Sequence, residues 1–309
     1  MFWRLAYGCP VASAAYAHHP GLSWLRTVPG GREWLATLDR LVCECVELWD
    51  LDLAEPFPYA CASLALKAAL PDGTPAVLKV QFPDREGEHE ADALDRWCGY
   101  GAVMLLGHDR DRRALLLERC LPGTALADTA LGAARTDRAL DVLAGFVRQL
   151  AVPAGAPFHT LSEEAARWAA TLERNWRAAG RPYERRLLDA ALSYLDDLPA
   201  SQGEQVLLHQ DLHAGNVLRA ERSPWLVIDP KPLVGELEFA AAPIVRGAEL
   251  GHSEFLVHRR LDRVVEELGL DPGRAIGWTV AQTLAWAVGG PADVFAGHVE
   301  VARWLLARR

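Results

Sequence analysis

The stretch VLLHQDLHAGNVLRAERSPWLVIDP, residues 206 to 230, constrains this chain more tightly than any other part of it. Within it His209, Asp211 and Asn216 fit the pattern His-x-Asp-x-x-x-x-Asn, and Asp229 closes the apolar run Trp225-Leu226-Val227-Ile228. Val206 to Leu208 and Trp225 to Ile228 read as a pair of short buried strands with Val217 and Leu218 between them, so the polar residues fall where these runs end. Phosphoryl transfer asks little covalent help of a protein. It needs a carboxylate beside the attacking hydroxyl and magnesium held on the nucleotide phosphates. Asp211 is the candidate for that carboxylate. Asn216 and Asp229 offer the oxygen donors that magnesium takes, and together they leave coordination positions for phosphate and water. The bland alternative is a turn-rich loop in which Asp and Asn only form turns, but the whole set with its flanking strands favours chemistry.

The rest of the chain predicts two lobes. From Gly31 to Trp49, Trp34, Leu38, Leu41, Cys45 and Leu48 recur at helical spacing. Alternation over Leu64 to Leu70, the turn Pro71-Asp72-Gly73-Thr74 and the run Ala76 to Phe82 predict a β-hairpin. A helix is expected over about Arg85 to Cys98, then a second hairpin pairing Val103 to His108 with Arg113 to Glu118. Beyond Leu121-Pro122-Gly123 the pattern is mostly helical: Asp137 to Leu150, Ser162 to Ala179 with Ser162 as N-cap, Pro182 to Leu198, and at least three helices after Ser253. Trp168, Leu172 and Trp176 form an inward stripe that reads as core. The expectation is an α+β, two-lobed, protein-kinase-like fold. Residues 1–118 form a β-rich N-lobe with N-terminal helices, and 119–309 a hinge and a mostly helical C-lobe carrying the catalytic and metal-binding loops.

A chain of 309 residues, 50% hydrophobic and 24% charged, can bury a sizeable core in either one two-lobed domain or two domains. The formal net charge of -9 argues against nucleic acid as a partner and suits a cationic substrate. Cys9, Cys43, Cys45, Cys61, Cys98 and Cys120 show no zinc-like spacing and read as reduced thiols, mostly small core residues. The apolar N-terminus is interrupted by Gly8 and Pro10, and no segment reaches the length of a membrane span. A cytoplasmic protein is expected.

Lys79 lies in Ala76-Val77-Leu78-Lys79-Val80, where Val77 and Lys79 share one face. The order strand, lysine, helix, hairpin, connector places it where a lysine would hold the α- and β-phosphates, with a glutamate of the following helix as partner. Glu90, at helical spacing from Leu94 and Trp97, is favoured over Glu86. The connector Leu117 to Leu121 should offer backbone groups to the purine, which names Glu118 and Cys120. Ser63 and Val77 complete the nucleotide set, although Pro58 to Ser63, the expected phosphate-covering loop, contains no glycine.

The runs Leu208 to Leu218, Pro224 to Gly235 and Gly73 to Lys79 resemble the aminoglycoside phosphotransferases, and among them the streptomycin 6-phosphotransferase and hydroxyurea kinase group of antibiotic-resistance enzymes. The likeness extends more loosely through Glu90 to Leu106, the Leu-Leu-Leu-Glu-Arg run ending at Arg119, and Gly277-Trp278-Thr279. It implies transfer of a phosphoryl group from ATP, with GTP the alternative donor, to a hydroxyl of a small molecule. Asp211 would be the base, with Asn216 and Asp229 on Mg2+. The acceptor would be an aminoglycoside such as streptomycin; hydroxyurea, a peptide antibiotic or a metabolite are alternatives, as is a nucleotide-binding pseudokinase. The chain departs from the group after Gly235, where the acids read Glu236-Leu237-Glu238. It departs again at Leu284 to Gly290, with only Asp293 nearby.

Overall fold

The computed structural model describes residues 16–59, 61–129, 133–290 and 293–308. These fall into two compact units: one runs to Gly99 and includes Val103–Cys120, the other takes Tyr100–Ala102 and the chain from Leu121 onward.

In the first unit, α1 (Gly31–Trp49) is followed by β1 (Asp52–Pro56), β2 (Ser63–Ala69), β3 (Pro75–Gln81), α2 (Glu90–Trp97), β4 (Leu105–Asp109) and β5 (Ala114–Glu118). The strands form one antiparallel sheet in the order β1-β2-β3-β5-β4, with β3 central. Alternation decides the faces. Leu64, Leu66, Leu78 and Val80 point into a core with Trp34, Leu38, Val42 and Cys45 of α1. Leu48 follows the same helical spacing yet is exposed; in the last turn Val46 and Trp49 pack against the core in its place.

Residues Pro20–Thr27 form a 3-10 helix whose Leu22 and Leu25 are fully buried in this core. The described part of the N-terminal segment is therefore structural. It also explains Gly31, the first residue of α1: a Cβ there would lie 1.9 Å from the Leu25 carbonyl oxygen. Gly31→Ala should cost about 3 kcal/mol, as overpacking against backbone does. Chemical denaturation should show an earlier midpoint; an unchanged one would mean that the 20–27 segment moves aside freely.

The α2 helix starts at Glu90 and not at Arg85: before it the chain runs through turns closed by bonds from Glu88 N–H to the Arg85 carbonyl (3.4 Å) and from Glu90 N–H to the Gly87 carbonyl (3.3 Å), three residues back instead of four. Among the described cysteines, Cys45, Cys61, Cys98 and Cys120 are reduced, with Cys61 and Cys98 exposed, but Cys43 is disulfide-bonded.

The second unit is mostly helical: α3 (Leu126–Thr129), α4 (Ala133–Leu150), α5 (Leu161–Ala178), α6 (Arg185–Asp197), α7 (Ala241–Arg246), α8 (Glu254–Leu268), α9 (Pro272–Ala285) and α10 (Ala296–Ala307). Trp168, Leu172 and Trp176 of α5 are buried, as their spacing predicts. The N-cap of α5 is Thr160, two residues before the predicted Ser162. Thr160 and Glu163 bond each other's backbone N–H in a capping box, while the Ser162 hydroxyl accepts from Gln202.

Short strands interrupt these helices: β6 (Gln205–Leu208), β7 (Val217–Leu218), β8 (Leu226–Val227) and β9 (Leu233–Glu236). β7 pairs with β8, but β6 pairs with β9, a strand the sequence reading missed. The expected partnership of 206–208 with 225–228 is wrong, because a hairpin occupies 217–227 and leaves the next apolar run to pair with β6.

Candidate active site

The β6–β9 ladder and the β7–β8 hairpin set the loops of the second unit. Asp211 lies three residues beyond β6; Asn216 directly precedes β7 and Asp229 lies just beyond β8. Since Val217 pairs with Val227, Asn216 and Ile228 sit at the same hairpin end, and Ile228 N–H donates to the Asn216 carbonyl (3.0 Å). The Asn216 side-chain amide donates to the Asp211 backbone carbonyl (3.0 Å). That bond fixes the amide's orientation and turns its oxygen end away from Asp211. An amide oxygen and a carboxylate at one hairpin end form a hard-oxygen donor set that fits magnesium.

His209 ties these loops together. Its Nε2 donates to the Ile228 carbonyl (2.9 Å), its Nδ1 accepts from the Asp211 N–H (3.3 Å), and its own carbonyl accepts from Lys231 N–H (3.0 Å). Gln210 and Asp229 both hold left-handed backbone, with φ of 63° and 57°. Such residues persist where surrounding bonds over-determine them, and the His209 bonds flank both.

Both His209 nitrogens are used only in the neutral form, and burial pushes its pKa down to about 4. In the unfolded chain an imidazole titrates near ~6.5, so the unfolded state takes up the proton first. Stability present above pH ~6.5 is lost as the pH falls toward 4. Thermal midpoints followed from pH 7 to about 4.5 should fall more steeply in the parent than in His209→Gln. Parallel curves would assign the acid loss to other groups.

Asp211 itself is buried and holds two cations: Arg246 Nη2 on Oδ1 (2.8 Å) and Lys231 Nζ on Oδ2 (2.9 Å). Burial alone would raise its pKa, but Lys231, Arg246 and His213 outweigh it and hold the carboxyl below its usual range. Asp211 is thus ionised, as a proton acceptor must be. Lys231 and Arg246 also lie 4.9 and 4.5 Å from the ring centre of Trp286. The Glu249 carboxylate meets His213 at 3.2 Å and accepts from the Ala214 N–H.

In the first unit, Lys79 is buried on β3 and its ammonium meets Glu90 Oε2 at 2.5 Å. Gln81, two residues on and so on the same face, donates to the same oxygen (2.7 Å). Glu90 is 1% exposed and is the first residue of α2, where the helix dipole favours an anion. Val77 shares the face of Lys79, between Lys67 and Leu117 in the sheet. Ser63 opens β2 opposite Gln81. Ala60 lies outside the described residues, but both flanks of its loop are held: His19 bonds the Phe57 carbonyl and Trp24 Nε1 the Cys61 carbonyl, each at 3.1 Å. At the end of β5 the Glu118 side chain accepts from Met104 N–H, and Cys120 is buried.

Lys231, Arg246, Gln282, Gln81 and Trp286 are the residues that sequence reasoning did not assign. Lys231 follows Asp229 closely enough to have been suspected. Arg246 lies 35 residues from Asp211 and carries no local signal. Glu236 proves to be structural. It is buried against Arg274 and Trp278 Nε1 and accepts from Gly203 N–H, so it is a knot between β9 and α9 and not a displaced substrate acid.

A strand lysine paired with a helix glutamate in one unit, and an Asp-Asn-Asp set on short strands in a mostly helical unit, are the two parts of a protein-kinase-like phosphotransferase. Choline kinase LicA from Streptococcus pneumoniae has the same fold at a TM-score of 0.62 and 13% identity, covering 87% of this chain and 97% of that one. The aminoglycoside phosphotransferase APH(4)-Ia matches at 0.56 and 17%, covering 86% and 95%. The chain belongs to the aminoglycoside/hydroxyurea antibiotic resistance kinase family, whose model matches residues 49–290. The streptomycin 6-kinase of Streptomyces griseus is 37% identical over 89% of this chain and 91% of its own length. The hydroxyurea phosphotransferase of Kitasatospora aureofaciens is 39% identical over 90% and 82%.

Proposed function

We propose that the chain transfers the γ-phosphoryl group of ATP to a hydroxyl of an aminoglycoside such as streptomycin. The observation that carries the reaction is the ionised Asp211, oriented by its loop bonds, beside Asn216 at the end of the hairpin that leads to Asp229. Asp211 accepts the acceptor hydroxyl's proton as the hydroxyl oxygen attacks the γ-phosphorus and the bond to the β,γ-bridging oxygen breaks, releasing ADP. Asn216 and Asp229 are the residues that would hold Mg2+, which when bound neutralises charge on the phosphates. Lys79, kept in place by Glu90 and Gln81, supplies a fixed cation for the α- and β-phosphates. Ser63, Val77, Glu118 and Cys120 complete the nucleotide set, with the last two contributing through the backbone of the connector.

Streptomycin kinases at similar identity support the acceptor. Hydroxyurea is the second reading, favoured by a relative that matches equally well and by the structural use of Glu236. The test is a screen of streptomycin, other aminoglycosides and hydroxyurea with ATP and magnesium, read by the mass of one added phosphoryl group. Modification of hydroxyurea alone would move the acceptor class. Absence of any nucleotide-induced rise in thermal midpoint would remove the kinase reading itself, because a ligand of the native state must stabilise it.

A further inference from the structure

The orientation of Asp211 depends on a closed circuit of side chains. Arg246, the last residue of α7, sends Nη2 to Asp211 Oδ1 (2.8 Å) and Nη1 to Gln282 Oε1 (2.9 Å). Gln282, on α9, returns through its Nε2 to the backbone carbonyl of Gln210 (3.2 Å), the residue immediately before Asp211. Carboxylate and backbone of the same loop are thereby held by one planar fork. The fork is fixed in turn: the Arg246 side chain is 7% exposed, and its guanidinium lies 4.5 Å from the ring centre of Trp286. Arg260, fully buried on α8, donates twice to the Val245 carbonyl and so pins the end of α7 from which Arg246 departs.

The two cations on Asp211 are not equivalent. Lys231, on Oδ2, has a side chain 27% exposed and a flexible stem, whereas Arg246, on Oδ1, is buried and held on both arms. Each carboxylate oxygen has two lone-pair sites, so Oδ2 can still accept a hydroxyl proton while Oδ1 stays anchored.

We infer that Arg246 is a positioning residue for the phosphoryl transfer: through Oδ1 it orients the Asp211 carboxylate so that Oδ2 meets the acceptor hydroxyl, with Gln282 as its brace. The inference rests on Asp211 being the proton acceptor. Its consequence is a loss of turnover, and not of nucleotide binding, when the fork is removed, because the misaligned group acts only in the transition state.

The experiment is a cycle of Arg246→Met, Arg246→Lys, Asp211→Asn and the double variant Asp211→Asn with Arg246→Met. ADP release from MgATP is measured with streptomycin or whichever hydroxyl compound is accepted, and as basal hydrolysis with water in its place. Arg246→Met should lower kcat about 30-fold with KM for MgATP within about twofold, and Arg246→Lys, which keeps a charge on Oδ1, should recover to within about fivefold of the parent. In the Asp211→Asn background, Arg246→Met should change nothing further. Equal losses in both backgrounds, a lysine variant as poor as methionine, or an Arg246→Met enzyme with parental kcat would each overturn the inference. Full turnover by Asp211→Asn alone would instead remove the assignment of Asp211. Should Arg246→Met not fold, Gln282→Leu carries the same cycle, with a drop of about fivefold expected in the parent background only.

Discussion

Asp211→Asn should lower turnover by about three orders of magnitude, the range that removing a positioned general base costs. The amide is isosteric with the carboxylate but uncharged, and its N–H2 end would face Lys231 or Arg246, both of them donors. A stability loss of about 3 kcal/mol should accompany the kinetic one, since two cations lose their counter-charge at a buried position. The two effects separate experimentally. Binding of MgATP, followed by calorimetry below the lowered thermal midpoint, should persist within a few-fold, while phosphoryl transfer disappears. A variant that transfers phosphate at the parental rate would show that another group takes the hydroxyl proton.

Lys79→Met should have the second largest effect. The methionine keeps the length and packing of the strand residue but takes the ammonium off Glu90 Oε2, leaving the Gln81 amide on that nearly inaccessible oxygen. Breaking a buried pair from one side costs about 3–5 kcal/mol, so the urea midpoint should fall clearly. Lys79→Met with Glu90→Gln removes both charges and should regain much of that stability. If Lys79 serves the phosphates, this double variant remains inactive although refolded. Activity returning along with stability would reduce the pair to a structural role.

The legible part of the fold was the part written in short-range pattern. The α1 periodicity, the 63–81 hairpin and the Trp168-Leu172-Trp176 stripe each follow from side-chain spacing that one element imposes on its own residues. The pairing of β6 with β9 was not legible, because it depends on which of two apolar runs the intervening hairpin leaves unpaired. The start of α2 was misplaced because residues 85–90 close tighter turns, with bonds three residues back, before the helical ladder takes over.

For the site, the residues that carry the proposed chemistry share local motifs, whereas the residues that orient them do not. Glu90 could be preferred over Glu86 by periodicity, and the structure pairs it with Lys79. Arg246 and Gln282 come from separate helices and meet Asp211 and Gln210 only after the chain has packed. A buried arginine at the end of a six-residue helix has nothing in its neighbours to mark it. Glu236 shows the converse, an acid that stood out in the sequence as a departure from the family pattern and that joins a strand to a helix.

The β6–β9 ladder has a further consequence for how this chain can change length. Leu208 pairs with Leu233 at its inner end, and everything from His209 to Pro232 is a loop closed by that one register. Losing or gaining one residue at 209–216 or 228–232 would throw Asp211 and Asp229 out of step, whatever the side chains. The tip between β7 and β8 lies outside that constraint, since the hairpin closes below it; Arg222 is tied to the Ala102 carbonyl (3.0 Å), which leaves the exposed Glu221 as the place for added residues. Added residues there lengthen only a surface turn, at a cost that grows slowly with loop length. An affinity tag or a reporter spliced at this tip would ride on a working enzyme, on the same loop whose two ends admit no insertion at all.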